Sequence, residues 1–327
     1  MFKLLGLLTL FVIPALASAH TKWFMTGELD PFHTTEPTLV YLALSFCSVL
    51  LVVVGAIWLH RHNIGNLKFL RPKKSHAYER AASTFTMMIG SFLLIAGTHE
   101  YLFSPNLTIH SGVAPFLIAF EIGIGLAFLL GIFTRVSAIL LSLVWFVAVY
   151  YSGWLALMEN VWVLSTAVFI LVMGNDYFSL VSFSLLRKKV SKYKKQALSI
   201  LRIGMGVTLV ILGFSEKILA PGYGLHFLEQ HHWNFMSSLG FNYSDYLFTL
   251  SAGSVEILIG VIFILGVATR LTAVIAIVVF TIPLFILGPI ELAGHLPHFA
   301  AMFLLVFLGS GGRYSFFKQH KDEVVKV

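Results

Sequence analysis

The chain is laid out as long apolar runs separated by short basic or aromatic segments. An apolar run of about 20 residues crosses a bilayer core as a helix. The pattern therefore predicts membrane helices over 38–59, 81–102, 112–133 and 136–157, a fifth starting at Asn160, and further ones over 197–219, 247–267, 271–290 and 296–309. The runs are continuous, unlike the alternating ten-residue segments of a membrane β-barrel. The basic segments HRHNIGNLKFLRPKK and RKKVSKYKK and the tail GGRYSFFKQHKDEVVKV all fall on one side under this layout. Positive charge marks the cytoplasmic side. The expectation is thus an all-α polytopic protein of the plasma (inner) membrane with about nine transmembrane helices, its amino terminus outside and its carboxyl terminus in the cytoplasm.

The same layout repeats. Residues 121–135 read EIGIGLAFLLGIFTR and residues 256–270 read EILIGVIFILGVATR, identical at nine of fifteen positions. Upstream, GSFLLIAGTHEYLFSP over 90–105 lies against GVTLVILGFSEKILAP over 206–221, and the second copy carries about 19 extra residues before its second glutamate. Each unit has four helices. An even count gives two parallel repeats related by an axis along the membrane normal, and the span over 38–59 stands outside the duplication. The expected domains are a signal peptide (1–19), an exported segment with the first helix and a basic loop (20–80), a first four-helix unit (81–190), and a second unit with the tail (191–327). Glycines recur where helices must approach closely, Gly123, Gly125 and Gly131 in one helix and Gly253 and Gly260 in its counterpart.

Residues 1–19 carry a short basic start, a short apolar stretch and Ala17-Ser18-Ala19, the pattern of a cleaved signal peptide. Cleavage would leave His20 at the amino terminus, where its α-amine and imidazole together suit copper, with Met25 and His33 nearby. Composition agrees with a membrane protein: 58% hydrophobic and 11% charged, against about 25% charged in soluble domains. The net charge of +7 sits in the segments between helices, so no nucleic-acid partner follows from it; the surrounding partner is membrane lipid. The single cysteine, Cys47, excludes an internal disulfide and reads as a small buried core residue.

Chemistry concentrates in the repeated carboxylates. Glu121 and Glu256 fall near mid-membrane in matched helices, where a carboxylate is costly and marks a functional site. Glu100 and Glu216 sit near the outer ends of the preceding helices, with Lys217 beside Glu216. These groups and His295 are the candidate catalytic residues, since a buried carboxylate can hold or pass a proton. The second unit alone carries ELAGHLPHF, with Glu291, His295 and His298 as candidate cofactor-binding residues; Pro297 predicts a turn there. This asymmetry places the working site in the second unit. The inserted segment adds His226, Glu229, His231 and His232 without a recognised metal-ligand spacing. Arg135 and Arg270 close their helices, capping carbonyls or meeting lipid phosphate.

The strings RIGMGVTLVILGFSEKILAP, EILIGVIFILGVATR and GHLPHFAAMFLLVFLG, over 202–309, resemble the DoxX family of four-helix membrane proteins, and 80–174 resembles a diverged second unit with Tyr101 where Lys217 stands. The resemblance implies a small membrane subunit of a quinone-linked oxidoreductase, as in thiosulfate:quinone oxidoreductases, a partner of redox-defence enzymes, or an assembly factor. The tandem arrangement and extra first helix depart from the minimal unit. Three readings follow. In the first, Glu256 and Glu216 exchange protons with quinone, His295 bonds a ring oxygen and Lys217 tunes the acids; no haem, flavin or iron–sulfur motif is present, so electrons need a redox partner protein. The second is a proton-coupled transporter or a copper-handling protein using His20 and His33. The third is a non-catalytic membrane assembly or scaffold protein in which the glutamates lock helices.

Overall fold

The computed structural model describes residues 30–32, 34, 38–72, 76–105, 107, 109, 111–181 and 184–317. The expected signal peptide, His20 and His33 lie outside the described residues.

Thirteen α-helices follow in chain order among these residues. Helix α1 spans Thr38–Arg61. The first unit contains α2 (His76–Thr98), α3 (Ala114–Leu130), α4 (Thr134–Met158) and α5 (Val161–Met173). A short α6 (Ser184–Val190) leads to the second unit: α7 (Lys194–Leu212), α8 (Gly222–His231), α9 (Phe235–Ser238), α10 (Asp245–Leu265), α11 (Thr269–Thr281), α12 (Leu284–Leu287) and α13 (Pro289–Leu308). The described residues hold no strand, only an isolated bridge between Ile132 and Val181. Five helices are long and apolar enough to cross a membrane, and the shorter apolar stretches 114–130, 161–173, 269–281 and 292–308 pack among them.

Two local differences from the sequence reading have clear causes. Helix α4 is broken at Gly153 (φ 79°, ψ 161°), a conformation open to glycine. Conversely, Pro297 makes no turn: α13 runs through it from Pro289, where Gly288 at φ 64° lets the chain enter the helix. One missing backbone hydrogen bond is outweighed by the packing of α13 on α11 and α2.

The repeat is plain in the packing. A spacing of 135 residues relates Glu121 to Glu256, Arg135 to Arg270 and Gly174 to Gly309, and one of 116 relates Gly90 to Gly206 and Glu100 to Glu216. Helix α2 packs on α3 as α7 packs on α10, with the same glycine crossing in each pair. A Cβ on Gly90 would stand 2.7 Å from the Gly125 carbonyl, and one on Gly206 2.6 Å from that of Gly260. Such contact is how helices in lipid gain dispersion energy. Gly123 faces open space and takes no part in this packing. The turns after α3 and α10 also match: Gly131 and Phe133 at φ 66° and 46°, Gly266 and Ala268 at 71° and 44°.

The units join reciprocally. The fourth helix of the first unit, α5, packs on α7, and the fourth helix of the second, α13, packs on α2. This exchange is what two units related by a two-fold axis require. A single core runs through both, with Phe85 edge-on to Phe169 at 5.1 Å. Helix α1 packs mainly on α10 and leaves most of its described apolar side chains exposed. Cys47 is therefore exposed, where the sequence reading placed it in a core. The lone helix has one packed stripe and is apolar all round, so its sequence does not reveal which side is covered.

Candidate functional site

Glu121 and Glu256 each stand nine residues before the end of their helix, about 14 Å along the axis. Their surroundings differ. Glu121 is fully buried and accepts the Phe103 backbone N–H at both oxygens, 3.2 and 3.3 Å. Phe103 reaches it because Glu100 and Phe103 both adopt left-handed backbone, at φ 61° and 64°, folding the chain back over α3 after α2 stops at Thr98. Glu100 is exposed there and does not join Glu121.

The second unit continues where the first breaks off. A π-helical turn, Gly213–Ile218, extends α7 and holds Glu216 fully buried. Such turns carry an extra residue per turn and recur at functional sites. Lys217, on the same turn, donates to Glu256 at 2.9 Å and lies 3.6 Å from Glu216. One ammonium thus serves two carboxylates. Glu256 and Lys217 keep 18% and 13% of their side chains exposed, whereas Glu216 has none.

The preceding residue, Ser215, donates to Glu159 of the first unit at 2.8 Å. Glu159 and Asn160 are buried between α4 and α5 and line a cavity of about 20 Å³ with Ser104, Trp162, Pro297 and His298. Glu159 is equivalent to Gly294 and Trp162 to Pro297, and all four line this space, so the cavity straddles the axis between units. A volume near 10–15 Å³ suffices for one water. The cluster therefore belongs to both units, not to the second alone.

His295 and His298 are buried on α13. Their rings flank Phe280, at centroid distances of 5.1 and 6.1 Å, and stand 5.9 Å from one another. His298 reaches the shared cavity; His295 does not line it. Glu291 begins this helix, and its side chain lies outside the described residues. Among the described residues no group of three or more His, Cys, Asp or Glu side chains converges as a metal site would. His226 instead meets Gln230 at 3.0 Å and Glu229 at 3.5 Å, and His231 stacks near Phe227.

The arginines after α3 and α10 cap carbonyls. Arg135 donates to Met173 O at 3.0 Å and forms two 2.8 Å bonds to Asp176. Arg270 donates to Val306 O and Phe307 O and to Asn66. In each unit the cap serves the end of the fourth helix, where the carbonyls lack helical partners.

The DoxX family model matches residues 81–154 and 197–289, together more than half of the chain. The chain belongs to the DoxX family. The two matched regions fall on the two four-helix units, and helix α1 lies outside both. No curated protein and no solved structure matched the chain.

Sequence reasoning missed Glu159, Asn160 and Ser215. A signal existed for Glu159: it is a third carboxylate flanked by apolar runs, but it has Gly294 as its repeat partner, and attention to matched acids passes over an unmatched one. Arg202 was missed as well. It is fully buried and donates to Phe263 O and Ile264 O at the end of α10 and to Ser310 O and Tyr314 O. It stands where Thr86 stands in the first unit.

Proposed function

We propose that this DoxX-family chain is the proton-handling membrane subunit of a quinone-linked redox system, with its basic end toward the cytoplasm. The observation that carries this reading is Lys217 held between Glu216 and Glu256, in a polar cluster that continues through Ser215 to Glu159 and the cavity beside His298. Reducing a quinone to a quinol takes two electrons and two protons. The electrons come from a partner redox protein, and this chain supplies and replaces the protons.

The cavity of about 20 Å³ suits a water rather than a quinone ring. The ring meets the protein at the accessible part of the cluster, the Glu256 carboxylate and Lys217 ammonium. Lys217 Nζ then donates to a ring oxygen as charge develops there, the electrostatic stabilisation that a fixed cation provides. Glu256, once protonated from the groups behind it, delivers that proton to the oxygen and returns to the carboxylate paired with Lys217. Glu216, Ser215, Glu159 and His298, around a cavity large enough for one water, form the route by which Glu256 is refilled. Glu121, bonded to the Phe103 amide, keeps the turn after α2 on α3.

The test is quinone retention by the full chain in lipid nanodiscs, read by extraction and mass spectrometry. Wild type retains quinone, and Glu256→Gln and Lys217→Met reduce retention at least tenfold while Glu121→Gln does not. Equal retention in all four proteins would overturn the reading and favour a scaffold in which the acids only lock helices.

A further inference from the structure

At the basic end of the first unit a crevice of about 400 Å³ opens between α2, α5, α6 and the start of α7. Four cations line it, Arg135, Arg187, Lys188 and Lys194, against two acids, Glu79 and Asp176. The acids are already engaged. Asp176 takes the two Arg135 bonds at 2.8 Å and lies 3.3 Å from Arg187, whose other neighbour is Glu79 at 4.0 Å. Two positive charges are left over, on Lys188 and Lys194, and among the described residues neither lysine forms an ion pair with a carboxylate. In the second unit the equivalent Arg270 donates instead to Asn66 Oδ1, from the loop after α1.

We infer that this crevice is a binding site for an anionic phosphate group. The ion pairs around Asp176 form its floor, and Lys188 and Lys194 grip the phosphate oxygens. Basic pockets between membrane helices at the positively charged side suit anionic headgroups, and the volume exceeds that of a bare phosphate, leaving space for a glycerol moiety. A lipid headgroup and free phosphate present the same chemistry. The inference stands on the crevice alone and does not depend on quinone.

The full chain in mild detergent is incubated with phosphatidylglycerol or phosphatidylcholine and examined by native mass spectrometry; inorganic phosphate is followed by phosphorus NMR in parallel. Retention of phosphatidylglycerol without phosphate binding identifies a headgroup site, and phosphate binding identifies the free anion. In either case Lys188→Gln with Lys194→Gln weakens binding at least tenfold, Lys188→Arg with Lys194→Arg restores it, and Lys192→Gln, outside the crevice, leaves it unchanged. Equal retention of both lipids with no phosphate binding, or binding that survives the double glutamine change, overturns the proposal.

Discussion

The backbone N–H of Trp162 donates to the Thr208 hydroxyl at 3.0 Å, across the interface between the two units. At the equivalent positions stand Pro297 and Phe92, a residue without an N–H and one without an acceptor. Donor and acceptor are both absent from the second copy, so no backbone N–H is left there to satisfy. Replacing Thr208 by Val would strand the Trp162 amide. That costs about 1–3 kcal/mol, visible as a lower thermal midpoint in detergent, while Phe92→Leu leaves no polar group exposed and costs only packing.

Arg202 ties the ends of α10 and α13 to the segment that follows them. Arg202→Met removes a buried cation but strands helix-end carbonyls, and each one left without a donor costs about 1–3 kcal/mol. Limited proteolysis should show earlier cleavage near residues 310–315 in this variant than in wild type.

The glycine crossings make a paired prediction. Gly90→Ala and Gly206→Ala force a methyl group against backbone and should each destabilise by about 1–3 kcal/mol. Gly123→Ala, facing open space, should be neutral or gain about 0.5–1 kcal/mol from helix propensity. Thermal midpoints of the three variants, measured side by side, check the assignment; a destabilised Gly123→Ala would contradict the packing.

Lys217→Met leaves Glu216 and Glu256 without their shared cation and should cost about 3–5 kcal/mol. The triple change Lys217→Met, Glu216→Gln, Glu256→Gln removes the uncompensated charge and should recover most of that stability without recovering quinone retention. Stability and function separate in this comparison.

Glu159→Gln keeps an acceptor for Ser215 and removes the titratable group. Because a hydrogen-bonded acceptor is kept and no buried charge is stranded, the thermal midpoint should fall less than in Lys217→Met. Proton uptake accompanying quinone reduction, followed with a pH dye in liposomes, should slow at least tenfold. An unchanged rate would remove Glu159 from the proton route.

The matched glutamates, the Leu-Gly-x-x-Thr-Arg closures and the glycines at 90 and 206 were legible because duplication writes each twice. Glu100 and Glu216 look like one position in two copies, yet one is exposed and the other fully buried. The choice between a broken helix and a π-helical turn decides this, and it rests on local backbone energetics and packing that the letters Gly-Thr-His-Glu and Gly-Phe-Ser-Glu do not distinguish.

By itself the sequence determined an all-α membrane chain, its internal repeat and the positions of the matched acids, because apolar length, basic punctuation and internal repetition are one-dimensional properties; which acid of each pair is buried, Glu121 and Glu216, was decided by the tertiary structure. Only the tertiary structure decided that α5 and α13 cross to the opposite unit, that Lys217 serves two carboxylates, and that Glu159 meets Ser215 from the other half. Those relations join residues 39 to 56 positions apart or more. They arise from how two similar surfaces pack around a shared axis, and no local pattern along the chain encodes which of these side chains meet.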